Sequence, residues 1–348
     1  MKKIRLGKTG LMVSRVGIGG IPIQRPPLDE AVKVINRALD LGVNLIDTSI
    51  GYGDSELIIG KGISGRRDEV ILATKGSWRS KEASAEHIDS SLKRLGTDHI
   101  DLWQMHNIRD PEAFKQVVTP GASIEAAHEA LDEGKILHLG FSTHNLEVAL
   151  MGVESGLFET VQFPFNFIAR EAEDELIDRA RKHDVGFIGM KPFAGGNITD
   201  ARLAIGYVLH HESVVPDPGV ERVDEVDEIV GLVDEGIELT EGDWARMDAI
   251  RDELGNRFCR QCMYCMPCPQ GVEIWLLTYM ENLFRLWPRE RVIQAFGDSA
   301  DTALNCIQCG ECEERCPYGL PIREMIQENY AFYKREIGQE VSGEIKNM

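Results

Sequence analysis

Residues 70–106 read VILATKGSWRSKEASAEHIDSSLKRLGTDHIDLWQMH, and they contain a complete strand–helix–strand unit. Residues 70–75 and 100–106 are mainly apolar and lack polar alternation, which is typical of strands covered on both faces. Residues 84–95 carry apolar side chains at helical spacing between them. The stretch therefore predicts two parallel strands joined by a helix that covers the sheet.

The same unit recurs along the first two thirds of the chain. Further strands are predicted at residues 16–19, 44–48, 136–142, 160–165, 186–191 and 214–216. Further helices are predicted at residues 29–41, 123–132, 145–155 and 171–183. Eight such units in about 230 residues favour a (β/α)8 TIM barrel, preceded by a short hairpin at residues 5–14. A doubly wound sheet is the alternative, but residues 17–20 lack the third glycine of its phosphate loop.

Composition narrows the function classes. The chain has 348 residues and a net charge of −19, from 57 acidic and 38 basic residues. Such acidity argues against nucleic acid as a partner, because binding to phosphates depends on cations. No stretch is apolar over the length of a membrane span, and the amino terminus lacks the apolar segment of a signal peptide. We therefore expect a cytoplasmic protein without structural disulfides.

All eight cysteines lie in the last third of the chain, in two groups that each end in Cys-Pro. The groups are Cys259, Cys262, Cys265 and Cys268, and Cys306, Cys309, Cys312 and Cys316. The second group has the full C-x2-C-x2-C-x3-C-P spacing of bacterial [4Fe–4S] proteins, whereas the last gap of the first is one residue shorter. Zinc usually pairs C-x2-C knuckles across a longer loop, so the spacing predicts two [4Fe–4S] clusters.

The fourth ligand of each cluster is expected to come from the other group, as in two-cluster ferredoxins. Under this crossed arrangement Cys316 completes the cluster of Cys259, Cys262 and Cys265. Cys268 completes the cluster of the other three cysteines, and local ligation within each group stays open. The predicted organisation is a barrel at residues 1–238, a linking helix at 239–256, a mostly helical ferredoxin-like domain at 257–335 and a polar tail at 336–348.

Four polar residues stand at or just after the ends of neighbouring predicted strands. Asp47 and Tyr52 follow the second strand, Lys75 ends the third and His106 ends the fourth. The chemistry of such barrels lies at the carboxyl ends of the strands. These four side chains are therefore the candidate catalytic residues.

These residues, within D-T-x-x-x-Y-G-x-S-E, A-T-K, D-L-x-x-x-H and G-x-S, resemble the tetrad of the aldo-keto reductase family. With the cysteine groups, the chain resembles the branch of that family that carries a ferredoxin-type domain. The resemblance implies reduction of an aldehyde or ketone, or oxidation of the alcohol, with NADP or NAD. Tyr52 would donate the proton, Lys75 would lower its pKa, Asp47 would hold Lys75, and His106 would orient the carbonyl oxygen.

The resemblance also implies contacts to the cofactor. Ser142 and Gln162 would hold the nicotinamide carboxamide, and Met190 stands where the family often places an aromatic residue against the ring. Arg222 is the cation available for a 2′-phosphate in a loop otherwise rich in acids. A redox protein is a possible further partner, next to a small carbonyl or alcohol substrate. The alternative function is an iron–sulfur electron-transfer protein whose barrel binds nicotinamide weakly or serves as a docking scaffold.

Overall fold

The computed structural model describes residues 1–76 and 80–339. The chain divides into two compact units, Met1–Asp243 and a second unit that begins at Trp244. Helix Glu241–Leu254 spans this division. The domain ranges expected from the sequence stay a prediction, and most of the expected tail at 336–348 lies outside the described residues. Within the described ranges, no helix is both long and apolar enough to cross a membrane.

The first unit begins with an antiparallel hairpin of strands β1 (Lys3–Arg5) and β2 (Met12–Ser14). A 3₁₀ turn, Gly7–Thr9, joins the two strands, as the glycines of this segment predicted. Leu6 and Val13 of the hairpin region are fully buried against side chains of the following strands. The hairpin therefore closes the amino-terminal end of the sheet with apolar contacts.

Eight parallel strands form one sheet in chain order. They are β3 (Ile18–Gly19), β4 (Leu45–Asp47), β5 (Ile71–Gly76), β6 (Ile100–Met105), β7 (Ile136–Ser142), β8 (Thr160–Pro164), β9 (Gly186–Met190) and β10 (Val214–Asp217). The Gly17 amide donates to the Pro216 carbonyl at 2.9 Å, and the Gly19 amide to the Pro218 carbonyl at 2.8 Å. These bonds join the first strand to the last, so the predicted (β/α)8 barrel is confirmed.

Helices cover the outside of this barrel. They are α1 (Leu28–Asp40), α2 (Ser55–Gly62), α3 (Lys81–Leu95), α4 (Pro111–Val118), α5 (Ser123–Asp132), α6 (Leu146–Glu154), α7 (Glu171–Asp174), α8 (Leu176–Lys182), α9 (Ala201–Leu209) and α10 (Val223–Glu235). The helix at the division between the two units is α11 (Glu241–Leu254). The helix expected over 171–183 is interrupted at Glu175. Glu173, just before the break, accepts hydrogen bonds from Tyr207 and contacts His211 at 3.2 Å. These contacts join residues that are more than 30 positions apart, so the helical spacing of residues 171–183 could not predict them.

The second unit is helical and has its own apolar core. Its helices after α11 are α12 (Ile274–Leu277), α13 (Met280–Leu286), α14 (Arg289–Ala300), α15 (Glu311–Glu314) and α16 (Ile322–Glu336). Buried residues of α12, α13 and α16 form one cluster, against which several of the cysteines pack. Cys312 lies in α15, and the other cysteines lie on loops that a packed helical core supports.

Candidate active site

A buried ion pair lies at the carboxyl ends of the second and third barrel strands. Lys75 of β5 is 1% exposed, and its Nζ donates to Oδ2 of Asp47, the last residue of β4. Lys75 Nζ also donates to the Thr48 carbonyl at 2.7 Å, and Gln104 Nε2 donates to Asp47 Oδ1 at 3.0 Å. The parallel register of the strands brings these groups together, and their hydrogen bonds compensate the burial of both charges.

Tyr52 and His106 stand above this ion pair at the rim. Lys75 Nζ lies 5.0 Å from the centre of the Tyr52 ring. The Tyr52 hydroxyl is 3.5 Å from His106 Nε2, and the two rings meet edge to face with centroids 5.5 Å apart. The four residues predicted from the strand ends therefore converge on one place.

Electrostatics keep the rim groups neutral at physiological pH. Burial raises the pKa of Tyr52 to about 12, although the Lys75 cation acts in the opposite direction. Burial, followed by repulsion from Lys75, lowers the pKa of His106 to about 3. Burial alone would lower the pKa of Lys75, but Asp47 outweighs this effect and the net shift is upward. A neutral phenol and a neutral imidazole thus face a charged ammonium group.

Ser49, which the sequence reading did not single out, links two of these residues. Its Oγ lies 3.0 Å from His106 Nδ1 and 3.1 Å from the Lys75 carbonyl oxygen. The Gly51 amide also donates to Ser49 Oγ, at 3.1 Å. The serine therefore holds the His106 ring by one nitrogen and leaves the other directed towards Tyr52. Its position two residues after Asp47 is the signal that could have found it.

Asp217 is a second buried carboxyl that the sequence reading missed. It is the last residue of β10, and its Oδ2 accepts a hydrogen bond from Gln162 Nε2 at 3.0 Å. Like Asp47, it directly follows apolar strand residues, and that similarity was the available signal. It brings a further acid to the interior end of the site.

The residues expected to hold the nicotinamide lie on adjacent strand ends. Ser142 ends β7 opposite Gln162 of β8, and Met190 ends β9 opposite Pro164 of β8. Ser142 Oγ accepts a hydrogen bond from the Asn107 amide at 2.8 Å. Gln162 Oε1 is buried and has no hydrogen-bond partner within residues 1–76 and 80–339. An acceptor left open in this way fits the amide group of a nicotinamide.

Arg222 lies apart from these strand ends, just before α10. Its guanidinium forms ion pairs with Asp224 at 3.1 Å and with Glu225 at 2.9 Å, and its side chain is 58% exposed. The cation expected to meet a 2′-phosphate is therefore already neutralised by two acids in the first turn of α10. A phosphate would have to compete with both carboxylates for it.

The eight cysteines line two separate cavities in the second unit. Four line the first cavity: Cys259, Cys262, Cys265 and Cys316. The other four line the second: Cys268, Cys306, Cys309 and Cys312. This grouping matches the crossed arrangement expected from the sequence. Arg315 reinforces it, because its two terminal nitrogens each lie 3.1 Å from the Pro267 carbonyl of the other cysteine group.

The two cysteine loops repeat one backbone conformation. The residue before the second cysteine is left-handed in both groups, with φ of 59° at Gln261 and 58° at Gln308. The residue after the second cysteine is left-handed as well, with φ of 69° at Met263 and 85° at Gly310. Such alternation turns successive amides towards one side and makes a concave anion site, as found around iron–sulfur clusters.

Comparison with known sequences assigns both units. The family model described as "Aldo/keto reductase family" matches residues 15–203, and the model described as "4Fe-4S dicluster domain" matches residues 258–321. Aldo-keto reductase YhdN of Bacillus subtilis is 34% identical over 204 residues, which cover 53% of this chain and 60% of YhdN. The NADH-specific methylglyoxal reductase of Escherichia coli is 29% identical over 229 residues, covering 57% of this chain and 69% of that protein.

Solved structures give the same assignment for the barrel. An aldo-keto reductase from Bacillus halodurans in its holo form superposes with a TM-score of 0.61 and 27% identity, covering 72% of this chain and 96% of its own. An aldo-keto reductase from Klebsiella pneumoniae in complex with NADPH superposes with a TM-score of 0.62, 22% identity and coverage of 72% and 95%. The chain carries a 4Fe-4S domain after its barrel and belongs to the aldo/keto reductase family.

Proposed function

We propose that the protein reduces an aldehyde or ketone, or oxidises the corresponding alcohol, with NADPH or NADH at the Asp47–Lys75–Tyr52–His106 site. The observation that carries this proposal is the placement of a neutral tyrosine hydroxyl beside a buried, charged lysine. The NADH-specific reductase of Escherichia coli and the NADPH complex of the Klebsiella protein add support from the family.

A nicotinamide held by Ser142 and Gln162 would supply the hydride for the carbonyl carbon. The Tyr52 hydroxyl donates its proton to the carbonyl oxygen, and Lys75 stabilises the phenolate that remains. The ammonium of Lys75 stays charged because Asp47 accepts one of its hydrogens. The site thus provides both the proton and the charge stabilisation that a developing alkoxide requires.

His106 would position the carbonyl oxygen next to Tyr52. Its low pKa means that it acts as a neutral ring over the whole physiological range. A neutral imidazole can donate one hydrogen bond to the carbonyl oxygen without competing with Tyr52 as the proton donor, as a charged imidazolium would. Ser49 supports this role when its hydroxyl donates to Nδ1, 3.0 Å away, because the ring proton then lies on Nε2, the nitrogen that faces Tyr52.

Ser142 and Gln162 would hold the carboxamide, and Met190 would pack on the nicotinamide ring. The open acceptor at Gln162 Oε1 supports this assignment. Arg222 would meet a 2′-phosphate only by leaving Asp224 and Glu225. We therefore expect NADH to be accepted at least as readily as NADPH.

The second unit would hold two [4Fe–4S] clusters with crossed ligation, which would supply one-electron chemistry and exchange electrons with a redox partner. Two cavities with four cysteines each, and the repeated left-handed amides, support this assignment. The short C-x2-C-x2-C spacing within each cysteine group favours a cube with thiolates at its corners over zinc.

The alternative, an electron-transfer protein with a scaffold barrel, is not favoured. A scaffold has no need for a buried lysine and aspartate beneath a tyrosine, and burying that pair costs free energy. The barrel contains this pair in the place where carbonyl reduction would use it. We therefore keep reduction or oxidation at the barrel as the proposed activity.

Tyr52→Phe tests the proposal. It removes the proton donor and keeps the ring, so we expect carbonyl reduction to fall by at least about 100-fold while nicotinamide binding, followed by fluorescence, is unchanged. Tyr207→Phe is the matched control, because Tyr207 bonds Glu173 and lies outside the proposed site. Full turnover by the Tyr52 variant would refute the assignment.

A further inference from the structure

The interior end of the site contains a carboxyl that the tetrad does not use. Asp217 is 5% exposed, and both of its carboxyl oxygens lie 3.4 Å from the position that a Cβ would take on Gly19. Gly19 is the register partner of Asp47 across β3 and β4. The absence of a side chain at Gly19 therefore leaves room for Asp217 to approach Asp47.

Charge does not balance at this position if both acids are ionised. Lys75 offers one positive charge to the two carboxyls of Asp47 and Asp217, and it bonds directly to Asp47. An excess buried negative charge is costly, and two close carboxyls commonly retain one proton between them. Burial first, and the neighbouring Asp47 second, raise the pKa of Asp217 well above its usual range.

Hydrogen bonding gives an independent reason for a proton here. Asp217 Oδ1 and Gln104 Oε1 are both buried, and neither has a hydrogen-bond partner in the described part of the chain. Both are acceptor atoms, so each lacks a donor. A proton on Asp217 supplies one, because a protonated carboxyl donates as well as accepts.

We propose that Asp217 holds a proton that it shares with Asp47, and that it acts as a positioning residue that controls the ionisation of Tyr52 through the Asp47–Lys75 pair. This inference rests on the proposed function. While Asp217 is neutral, Lys75 balances Asp47 and retains its attraction for a Tyr52 phenolate. Once Asp217 is ionised, a second negative charge opposes that phenolate.

The groups that face Asp217 define the direction of the effect. They are Asp47 from β4, Lys75 from β5, Gln162 from β8 and Tyr52 from the loop after β4. Ionised Asp217 raises the pKa of Tyr52, as Asp47 does, while Lys75 lowers it. Removal of the Asp217 charge should therefore allow Tyr52 to ionise at lower pH.

Infrared spectroscopy of the full chain with its clusters tests the proton directly. We expect a carbonyl stretch of a protonated carboxyl at neutral pH that shifts in deuterium oxide and disappears in Asp217→Asn. Asp101→Asn is the matched control. Asp101 is a buried carboxylate near the amino-terminal end of β6, away from the site, and it pairs with Arg67 at 2.7 Å. Loss of the band in Asp217→Asn but not in Asp101→Asn supports the proposal. Absence of the band from the natural protein, or its persistence in Asp217→Asn, overturns the proposal.

Titration of Tyr52 tests the control of ionisation. The proposed control requires Asp217 to lose its proton at a pH above neutral and below the midpoint of Tyr52. Tyrosinate absorption, taken as the difference from Tyr52→Phe, should then have its midpoint about one pH unit lower in Asp217→Asn than in the natural protein. Asp101→Asn should leave the midpoint unchanged. Equal midpoints in the Asp217 variant and the natural protein would overturn the proposal.

Neither measurement depends on turnover. If the natural protein reduces no carbonyl with either nicotinamide, the proposed function fails while both spectroscopic results still decide the role of Asp217. If turnover is found, its alkaline limit in reduction should move down with the Tyr52 midpoint in Asp217→Asn. A limit that stays in place would contradict the inference and leave the proposed function intact.

Discussion

At the residue scale, His106 couples the site to the stability of the barrel. Its pKa is about 3 in the folded chain and about 6.5 in an unfolded chain. The unfolded state therefore binds more protons between these values, and the free energy of unfolding falls as the pH falls through this window. The functional geometry thus makes the barrel less stable in acid.

His106→Gln should reduce this loss of stability. Between about pH 6.5 and pH 5 the histidine contributes a loss of up to about 2 kcal/mol, which the glutamine cannot contribute because it does not titrate. Urea unfolding of both proteins at the two pH values measures the difference, and His144, which also stays neutral, is present in both. Parallel losses in the two proteins would contradict the low pKa.

At the element scale, the hairpin of β1 and β2 depends on a glycine in its turn. Gly7 has φ of 53°, and a Cβ on it would lie 2.1 Å from the backbone nitrogen of Gly186. Its neighbour Gly10 has φ of 73° but nothing within 4 Å of the same position. Both glycines therefore have a left-handed backbone, but a side chain would meet a steric clash only at Gly7.

Gly7→Ala should destabilise the barrel by about 3 kcal/mol or more, because backbone atoms of β9 must move. Gly10→Ala should lower the free energy of unfolding by only about 1 kcal/mol, because alanine is strained in the left-handed conformation but meets no clash. Denaturant unfolding of the two variants provides the comparison. Similar stability of both would mean that the hairpin is not seated against β9 as described.

At the scale of the whole molecule, the proposed crossed ligation predicts which cysteines share a cluster. Cys259 and Cys316 line one cavity, whereas Cys268 lines the other. The double variant Cys259→Ser/Cys316→Ser should therefore lose one cluster and keep about four irons per chain. Cys259→Ser/Cys268→Ser should lose both clusters.

Iron and sulfide analysis of the two double variants, prepared without oxygen, distinguishes the arrangements. Local ligation predicts the reverse result, because Cys259 and Cys268 would then share one cluster. Both variants remove two thiols, so a general effect of losing cysteines would lower their iron content equally. Retention of about four irons by the second variant alone would exclude crossed ligation.

The local pattern was sufficient for most of the barrel and for the four catalytic candidates. Apolar strands, amphipathic helices and polar residues at strand ends are properties of short segments, and parallel strands place their carboxyl ends at one rim. The break at Glu175 and the contacts of Ser49 were not predictable in the same way. They depend on side chains that are distant in sequence, such as Tyr207 for Glu173 and His106 for Ser49.

The sequence by itself determined the order of the eight strands, the identity of the tetrad candidates and the two groups of cysteines, because each is encoded in spacing. Only the tertiary structure decided that Asp217 faces Asp47 and Lys75, since the closure of β10 onto β3 brings together residues 170 positions apart. The same is true of Cys316 beside Cys259. Charge balance and ligand sets depend on distance in space, which a linear pattern does not contain.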